Sequence, residues 1–174
     1  MKHAGPLEIE VKLRIPSTGA IRPLLAQEGF TLVHPEAVDT SRLWDRSGEL
    51  FAQGSALRLR RYGDQALLTW KGPRQADPQL KIRPEVETAV ADPAAMEEIL
   101  RVLGFAPVLT MVKTRSVWVR GELEACLDET PFGSFLELEG ARDAIAEAMA
   151  QLALGPGQVE PRSYAALYSG RSEG

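Results

Sequence analysis

The chain has 174 residues and carries 24 acidic against 20 basic side chains, a formal net charge of −4 at pH 7. This acidic balance disfavours nonspecific binding to nucleic acid or to an anionic membrane, so a basic site must be local. One cysteine and two histidines exclude an internal disulfide and argue against a metal site built from thiolates or imidazoles.

The length suits a single domain over residues 1–174. No uncharged run exceeds about a dozen residues, short of the ~20 that a membrane-spanning helix needs. The first ten residues, MKHAGPLEIE, lack the apolar core of a signal peptide. We therefore expect a soluble cytoplasmic protein that acts on neither a nucleic acid polymer nor a membrane. The sequence leaves open whether it forms a homodimer.

Strand signals predominate from the start of the chain. Residues 7–15, LEIEVKLRI, alternate ionised and apolar side chains, the pattern of a strand with one charged and one apolar face. Further strands are expected up to Trp44 and over residues 56–63, 66–72, 80–90, 111–120, 122–129 and 134–140. Short turns such as Gly63-Asp64 and Arg120-Gly121 favour antiparallel pairing between them.

Four helices are expected between and after these strands. Residues 20–28 are predicted to be helical before Gly29, with Pro23 in the first turn. The clearest helix follows Asp92-Pro93, a cap and a helix-starting proline, and stops at Gly104. Two more are expected around residues 145–152 and after Ser163. The order strand, helix, strands occurs twice, which favours a structural repeat of two similar half-sheets.

Almost every predicted strand has a charged face dominated by arginine, lysine and glutamate. Two arrangements accommodate such strands: an ordinary sheet with its charged face in water, or a closed barrel with a polar lumen. Exposed sheet faces usually mix Thr, Ser, Gln and Lys, whereas Arg and Glu suit bidentate phosphate contact and metal coordination. The predicted helices could cover the apolar faces from outside. The pattern therefore favours the barrel.

A charged lumen would need counter-ions, because unpaired buried ions are costly. Glu8 and Glu10, like Glu137 and Glu139, lie two residues apart on one face, at about 7 Å, where carboxylates repel unless a cation lies between them. Carboxylate ligands suit Mg²⁺ or Mn²⁺, ions that also bind phosphate oxygens. The remaining faces supply cations for a polyanion: Arg58, Arg60, Lys71, Arg83, Lys113 and Arg115. The combination predicts a site for a metal and a triphosphate.

A series of short blocks supports a family resemblance. Glu8-x-Glu10-x-Lys12 resembles the ExExK signature of the CYTH family, the triphosphate tunnel metalloenzymes, which include class IV adenylate cyclases, thiamine triphosphatases and inorganic triphosphatases. The similar blocks that follow in family order are ALRLR (56–60), LTWKGP (68–73), Arg83 with Glu85 and Glu87, KTR (113–115), Leu127-Asp128, GSFLELEG (133–140) and Ser163-Tyr164. The resemblance covers residues 7 to about 168, nearly the whole chain.

The resemblance implies an α+β fold: an eight-stranded antiparallel closed barrel with helices packed outside and a triphosphate in its tunnel. It implies Mg²⁺ or Mn²⁺ as cofactor, bound by Glu8, Glu10, Glu85, Asp128, Glu137 and Glu139. Phosphate contacts would come from Lys12, Arg58, Arg60, Lys71, Arg83, Lys113 and Arg115, and catalysis from Glu10, Lys12, Glu137 and Glu139. Outside the matched blocks, cross-strand ion pairs are expected for Arg14, Lys81, Glu122 and Glu124.

Three functions share such a site: a triphosphate hydrolase, an adenylate cyclase that converts ATP to cyclic AMP and pyrophosphate, and a sensor that binds without turnover. Class IV cyclases often carry a His-Phe pair shortly before the signature, but here Ala4 follows His3. The C-terminal lysine of vertebrate thiamine triphosphatases is also absent, with only Arg162 and Arg171 in that region. Hydrolysis of an inorganic, thiamine or nucleoside triphosphate is the favoured reaction.

Overall fold

Eight antiparallel strands close into a barrel in the computed structural model, which describes residues 7–170. The strands are β1 (Leu7–Ile15), β2 (Thr31–Asp45), β3 (Ala56–Tyr62), β4 (Gln65–Lys71), β5 (Lys81–Ala89), β6 (Ala106–Arg120), β7 (Leu123–Thr130) and β8 (Gly133–Glu139). Their order around the barrel is β1-β5-β4-β3-β2-β6-β7-β8. The predicted fold class is therefore confirmed. His3, Ala4 and Arg171, used in the sequence comparison, lie outside the described residues.

Residues 7–170 also contain five α-helices and one 3₁₀ turn, which lie between the strands or follow β8. They are α1 (Thr18–Gln27), α2 (Glu49–Ala52), α3 (Pro93–Val102), α4 (Arg142–Gln151) and α5 (Tyr164–Ser169), with the turn at Pro156–Gln158. No sequence signal predicted the short α2. Within residues 7–170, none of these helices has the length and apolar content required to cross a membrane.

The first helix begins earlier than the sequence predicts. Ser17 caps α1, its side chain accepting a hydrogen bond from the amide of Ala20. Pro23 therefore lies in the second turn, and its expected place in the first turn is wrong. A proline there removes one i to i−4 hydrogen bond. The cap and the burial of Ile21 and Leu25 stabilise the helix despite that loss.

The two halves of the chain repeat one order of elements. β1, a helix and three strands are followed by β5, a helix and three strands, apart from the short α2 in the first half. The ring is symmetric about this repeat, since the first strands β1 and β5 pair with each other, as do β2 and β6. The predicted repeat is confirmed in element order and in topology.

The hydrophobic core lies outside the barrel wall, beneath the helices. Its larger cluster joins β1, β7 and β8 to α1 and α4 through Val11, Leu13, Leu25, Leu136, Ile145 and neighbouring apolar residues. In a smaller cluster, Leu100 of α3 packs against Trp44 of β2 and Leu59 of β3. Because side chains alternate along a strand, apolar residues that pack outward place the charged residues inward. The charged faces thus line a lumen.

Candidate active site in the barrel lumen

The strand register brings the charged faces of neighbouring strands into contact inside the barrel. Glu10 lies opposite Lys81 on β5 and opposite Glu139 on β8, and Lys12 lies opposite Glu137. Lys12 and Lys81 are buried, with Lys12 only 1% exposed, whereas Glu10 and Glu137 are half-buried and Glu139 is exposed. The strand register therefore brings the sequence-predicted metal, phosphate and catalytic residues to the inner face of one barrel, although their roles there remain predictions.

Lys71 lies between two carboxylates at the β1–β5 seam. Its Nζ is 2.5 Å from Oε1 of Glu8 and 2.7 Å from Oε2 of Glu85. Arg83 Nε lies 3.8 Å from the other oxygen of Glu8. Burial and the charge of Glu10 outweigh the attraction of Lys71 and raise the pKa of Glu8 to about 8.

A second group of carboxylates lies where β1 and β8 meet. Lys81 Nζ donates to Oε1 of Glu10 at 3.2 Å. Burial alone would raise the pKa of Glu10, but Lys81 and further lysines hold it at about 2. Glu139 faces Glu10 across the strands, and burial together with that charge raises its pKa to about 7. The expected cross-strand pair of Lys81 is confirmed, and its 7% exposure places it within the lumen as well.

Asp128 is the centre of the most saturated network. Arg115 donates to both of its oxygens at 2.7 and 2.6 Å, Lys113 donates at 2.9 Å, and the Tyr164 hydroxyl donates at 2.6 Å. Arg115 also binds Glu137. Although burial acts to raise it, Lys113 and Arg115 hold the pKa of Glu137 well below its usual range. A metal ion at Asp128 would have to compete with these donors.

Lys12 is held at the end of the lumen that the C-terminal segment covers. Its Nζ donates to the carbonyl of Arg162 at 2.7 Å and lies 3.9 Å from the centre of the Tyr164 ring. Glu137 Oε1 is also 3.9 Å away. Burial, with Lys81 and Lys113 nearby, lowers the pKa of Lys12 to about 7. The ammonium can therefore release its proton near neutral pH.

The cations of β3 bind two acceptors that the sequence did not reveal as site residues. Arg60 Nε donates to Oδ2 of Asp39 at 3.0 Å, and Arg58 donates to the Thr69 hydroxyl at 3.3 Å. Burial opposes ionisation of Asp39, yet Lys113 and Arg60 keep its pKa below the usual value. The alternation on β2 concealed Asp39, because Arg42 on the outer face is charged too and pairs with Glu97 of α3 at 2.8 Å.

Three residues outside the matched blocks do not form the cross-strand ion pairs expected for them. Arg14 pairs at 2.8 Å with Glu160, which follows the 3₁₀ turn rather than lying in a strand. Neither Glu122 nor Glu124 forms an ion pair within residues 7–170, so that expectation is wrong for both. Glu124 instead accepts a hydrogen bond from the Cys126 thiol at 3.2 Å.

The donor chemistry of the lumen fits a hard divalent cation. Among residues 7–170 no three acidic, histidine or cysteine side chains form a ready-made metal cluster. Yet Oε2 of Glu8 is buried with no hydrogen-bond partner among those residues. Burial, followed by the charge of Glu10, also raises the pKa of Glu8 and Glu139, so a cation bound there would favour their ionised form. Carboxylate oxygens in this state suit Mg²⁺ or Mn²⁺ once their lysine partners move away.

A family model, the CYTH domain, matches residues 6–164 of the chain. The chain belongs to the CYTH family. Use of a divalent metal and a triphosphate is therefore the general expectation for this chain's barrel.

Relatives of this CYTH chain come from bacteria, archaea and plants. A Methanocaldococcus jannaschii protein named as a provisional adenylate cyclase is 27% identical over 153 residues, 84% of this chain and 87% of its own length. A Vibrio parahaemolyticus structure, also named as a provisional adenylate cyclase, has a TM-score of 0.82 at 24% identity and covers 95% and 99% of the two chains. A Hippeastrum protein described as having a dominant triphosphatase activity has a TM-score of 0.71 at 23% identity, with 95% and 97% covered. The two structural matches show the fold alone.

Proposed function

We propose that this protein is a divalent-metal-dependent enzyme that hydrolyses a triphosphate inside its barrel. The observation that carries the proposal is the belt of cations and carboxylates on the inner face of the barrel, to which all eight strands contribute. Such a belt matches a highly charged ligand that brings its own counter-ion, because buried charge must be compensated locally. An inorganic, thiamine or nucleoside triphosphate belongs to this class.

The cations would bind and orient the phosphates. Arginine offers a planar fork of donors that fits phosphate oxygens, and lysine supplies a compact charge. We assign this role to Lys12, Arg58, Arg60, Lys71, Arg83, Lys113 and Arg115. In the free protein several of them bind carboxylates, as Lys71 binds Glu8 and Glu85. These partners would have to exchange for phosphate oxygens during binding, and the same cations would then stabilise charge on the transferring group.

The carboxylates would hold the metal and handle protons. We assign Glu8, Glu10, Glu85, Glu137 and Glu139 to Mg²⁺ or Mn²⁺, with Asp128 as a further ligand if its cations move. A bound divalent cation neutralises phosphate charge and acidifies a bound water. Glu10, whose pKa is about 2, is ionised at neutral pH, whereas Glu139, whose pKa is about 7, can accept a proton there. Lys12 can donate one.

A second candidate function is class IV adenylate cyclase activity. The curated relative from M. jannaschii carries that provisional name at 27% identity. The Hippeastrum structure, described as having a dominant triphosphatase activity, is compatible with hydrolysis in a barrel of this fold. The two reactions differ in the attacking oxygen and in the phosphorus attacked, so an analysis of their products distinguishes them.

The reducing cytosol is the proposed location, supported by the free and buried Cys126.

The test is a product analysis by ³¹P NMR and nucleotide chromatography. The protein is incubated with Mg²⁺ or Mn²⁺ and, separately, with ATP, thiamine triphosphate and tripolyphosphate. Orthophosphate is the expected product, and Glu10→Gln should lower kcat at least about 100-fold because it removes a charge from the lumen. The matched control Glu98→Gln changes an exposed residue of α3 and should leave kcat unchanged.

Two other outcomes would overturn the proposal. Cyclic AMP and pyrophosphate from ATP, with no orthophosphate, would make the protein a cyclase. Binding of all three compounds without conversion would make it a sensor.

A further inference from the structure

Asp39 is a buried carboxylate on the side of the lumen where the cations lie. It is 1% exposed, and Arg60 approaches its Oδ2 with Nε at 3.0 Å and Nη2 at 2.9 Å. Lys113 Nζ lies 3.9 Å from the same oxygen, and the Ser41 hydroxyl donates to Oδ1 at 3.2 Å. The roles proposed above use Arg60 and Lys113 but give none to Asp39.

The space beside Asp39 is too small for a phosphate chain. The cavity that Asp39 lines with Ser41, Arg58 and Lys113 has a volume of about 30 Å³. This space holds about two water molecules. An anion that reaches Arg60 and Lys113 must therefore displace their contacts with Asp39, and it then lies close to a carboxylate that has lost its partners.

We propose that Asp39 is a specificity-determining residue: it acts as an internal counter-ion to Arg60 and Lys113 and makes polyphosphate binding depend on a divalent cation. This inference rests on the proposed function. Without Asp39, Arg60 would have no carboxylate partner among residues 7–170 and Lys113 would keep only Asp128 at 2.9 Å, so this side of the lumen would have an excess of positive charge open to any anion. With Asp39 present, a metal-free polyphosphate adds uncompensated negative charge to the lumen. A polyphosphate that binds together with a divalent cation adds less uncompensated negative charge, because the cation offsets part of the phosphate charge.

The test is isothermal titration calorimetry of tripolyphosphate, with and without Mg²⁺, on the full-length protein. Asp39→Asn should bind metal-free tripolyphosphate at least about tenfold more tightly than wild type, a change of one order of magnitude in Kd. The factor by which Mg²⁺ improves binding should fall to the same extent. The control Asp64→Asn makes the same charge change at an exposed turn and should match wild type. Asp39→Asn binding that is no tighter than wild type would overturn the proposal.

A second comparison covers the case in which Asp39→Asn does not fold, since the substitution leaves Arg60 without its carboxylate. Arg60→Gln is compared with the double variant Arg60→Gln/Asp39→Asn, in which the pair is removed together. The double variant should bind metal-free tripolyphosphate more tightly than Arg60→Gln, because Asp39 still opposes anions near Lys113 in the single variant. Equal or weaker binding by the double variant would overturn the inference.

Failure of the proposed function would look different. In that case wild type would show no tripolyphosphate binding with Mg²⁺ at all, whereas failure of this inference leaves wild-type binding intact. The calorimetric signal does not require turnover, so the two results remain separable.

Discussion

Glu160 joins the segment after α4 to the first strand. Its carboxylate accepts hydrogen bonds from Arg162 Nε at 2.7 Å and from Arg14 Nη2 at 2.8 Å. The bonds from Arg162, followed by those from Arg14, outweigh burial and lower the pKa of Glu160 to about 2 from 4.5. A carboxylate whose pKa is lower in the folded state stabilises the fold above its unfolded pKa. That contribution is lost as the pH falls from 4.5 towards 2.

Glu160→Gln should therefore lower the free energy of unfolding at pH 7 by about 1–2 kcal/mol, since both arginines are nearly half exposed and solvent screens them. The difference from wild type should shrink as the pH approaches 2. Urea denaturation at a series of pH values measures this, with the exposed Glu122→Gln as control. A difference that stays constant over the acid range would show that the ionised pair is not its cause.

The first helix shows how one amphipathic element covers the barrel. Leu25 is fully buried against β1, β7 and β8, whereas its neighbour Leu24 is 37% exposed. Leu25→Ala should lower the free energy of unfolding by about 2–4 kcal/mol, because it leaves a cavity in the core. Leu24→Ala should cost less than about 1 kcal/mol. Urea denaturation compares the two variants, and equal losses would contradict the packing described for α1.

The pairing of β1 with β8 concentrates like charges that an ordinary sheet avoids. Glu10 lies opposite Glu139, which lies opposite Glu124 on β7. Like charges directly opposite each other destabilise a sheet. Their presence at one level of the barrel is therefore a local cost in stability that a bound cation would relieve, in agreement with the metal role proposed for Glu10 and Glu139.

The lumen as a unit compensates most of its charge internally, with Lys71 bound to Glu8 and Arg115 bound to Asp128. Phosphates would bind the cation of such a pair, and a metal ion would bind its carboxylate. Binding of either ligand therefore frees a group that the other can bind. We therefore predict that Mg²⁺ and tripolyphosphate raise the melting temperature together by more than the sum of their separate effects. Ligands at about 100 times Kd contribute near 2.7 kcal/mol each, which corresponds to several degrees for a chain of this size.

Differential scanning fluorimetry at matched ionic strength checks this prediction. In the Glu10→Gln variant, the rise in melting temperature beyond the sum of the two separate effects should be smaller. Strictly additive shifts would show that the two ligands bind independently, against the exchange of partners described above.

The structure confirms the barrel, the outer helices and the repeat that the sequence predicts, because alternation with period two and helical spacing are local properties. The sequence prediction placed the start of α1 too late, because it relied on the position of Pro23 and did not identify Ser17 as the cap. It also missed Asp39, whose inward direction depends on β2 pairing with both β3 and β6. Charge alternation along β2 does not distinguish Asp39 as a lumen residue, because Arg42 on the outer face is charged as well.

The amino-acid sequence by itself determined that the strands have one charged and one apolar face, a pattern that favours a polar lumen under an apolar outer wall. Only the tertiary structure decided which charges meet. β1 pairs with β5 and β8, which are distant in the chain, so the partners of Glu8 and Glu10 follow from ring closure and register. Tertiary packing also brought Arg162 and Tyr164 onto Lys12. Burial then set the protonation of these groups, because the cost of a buried charge depends on every neighbour that the fold supplies.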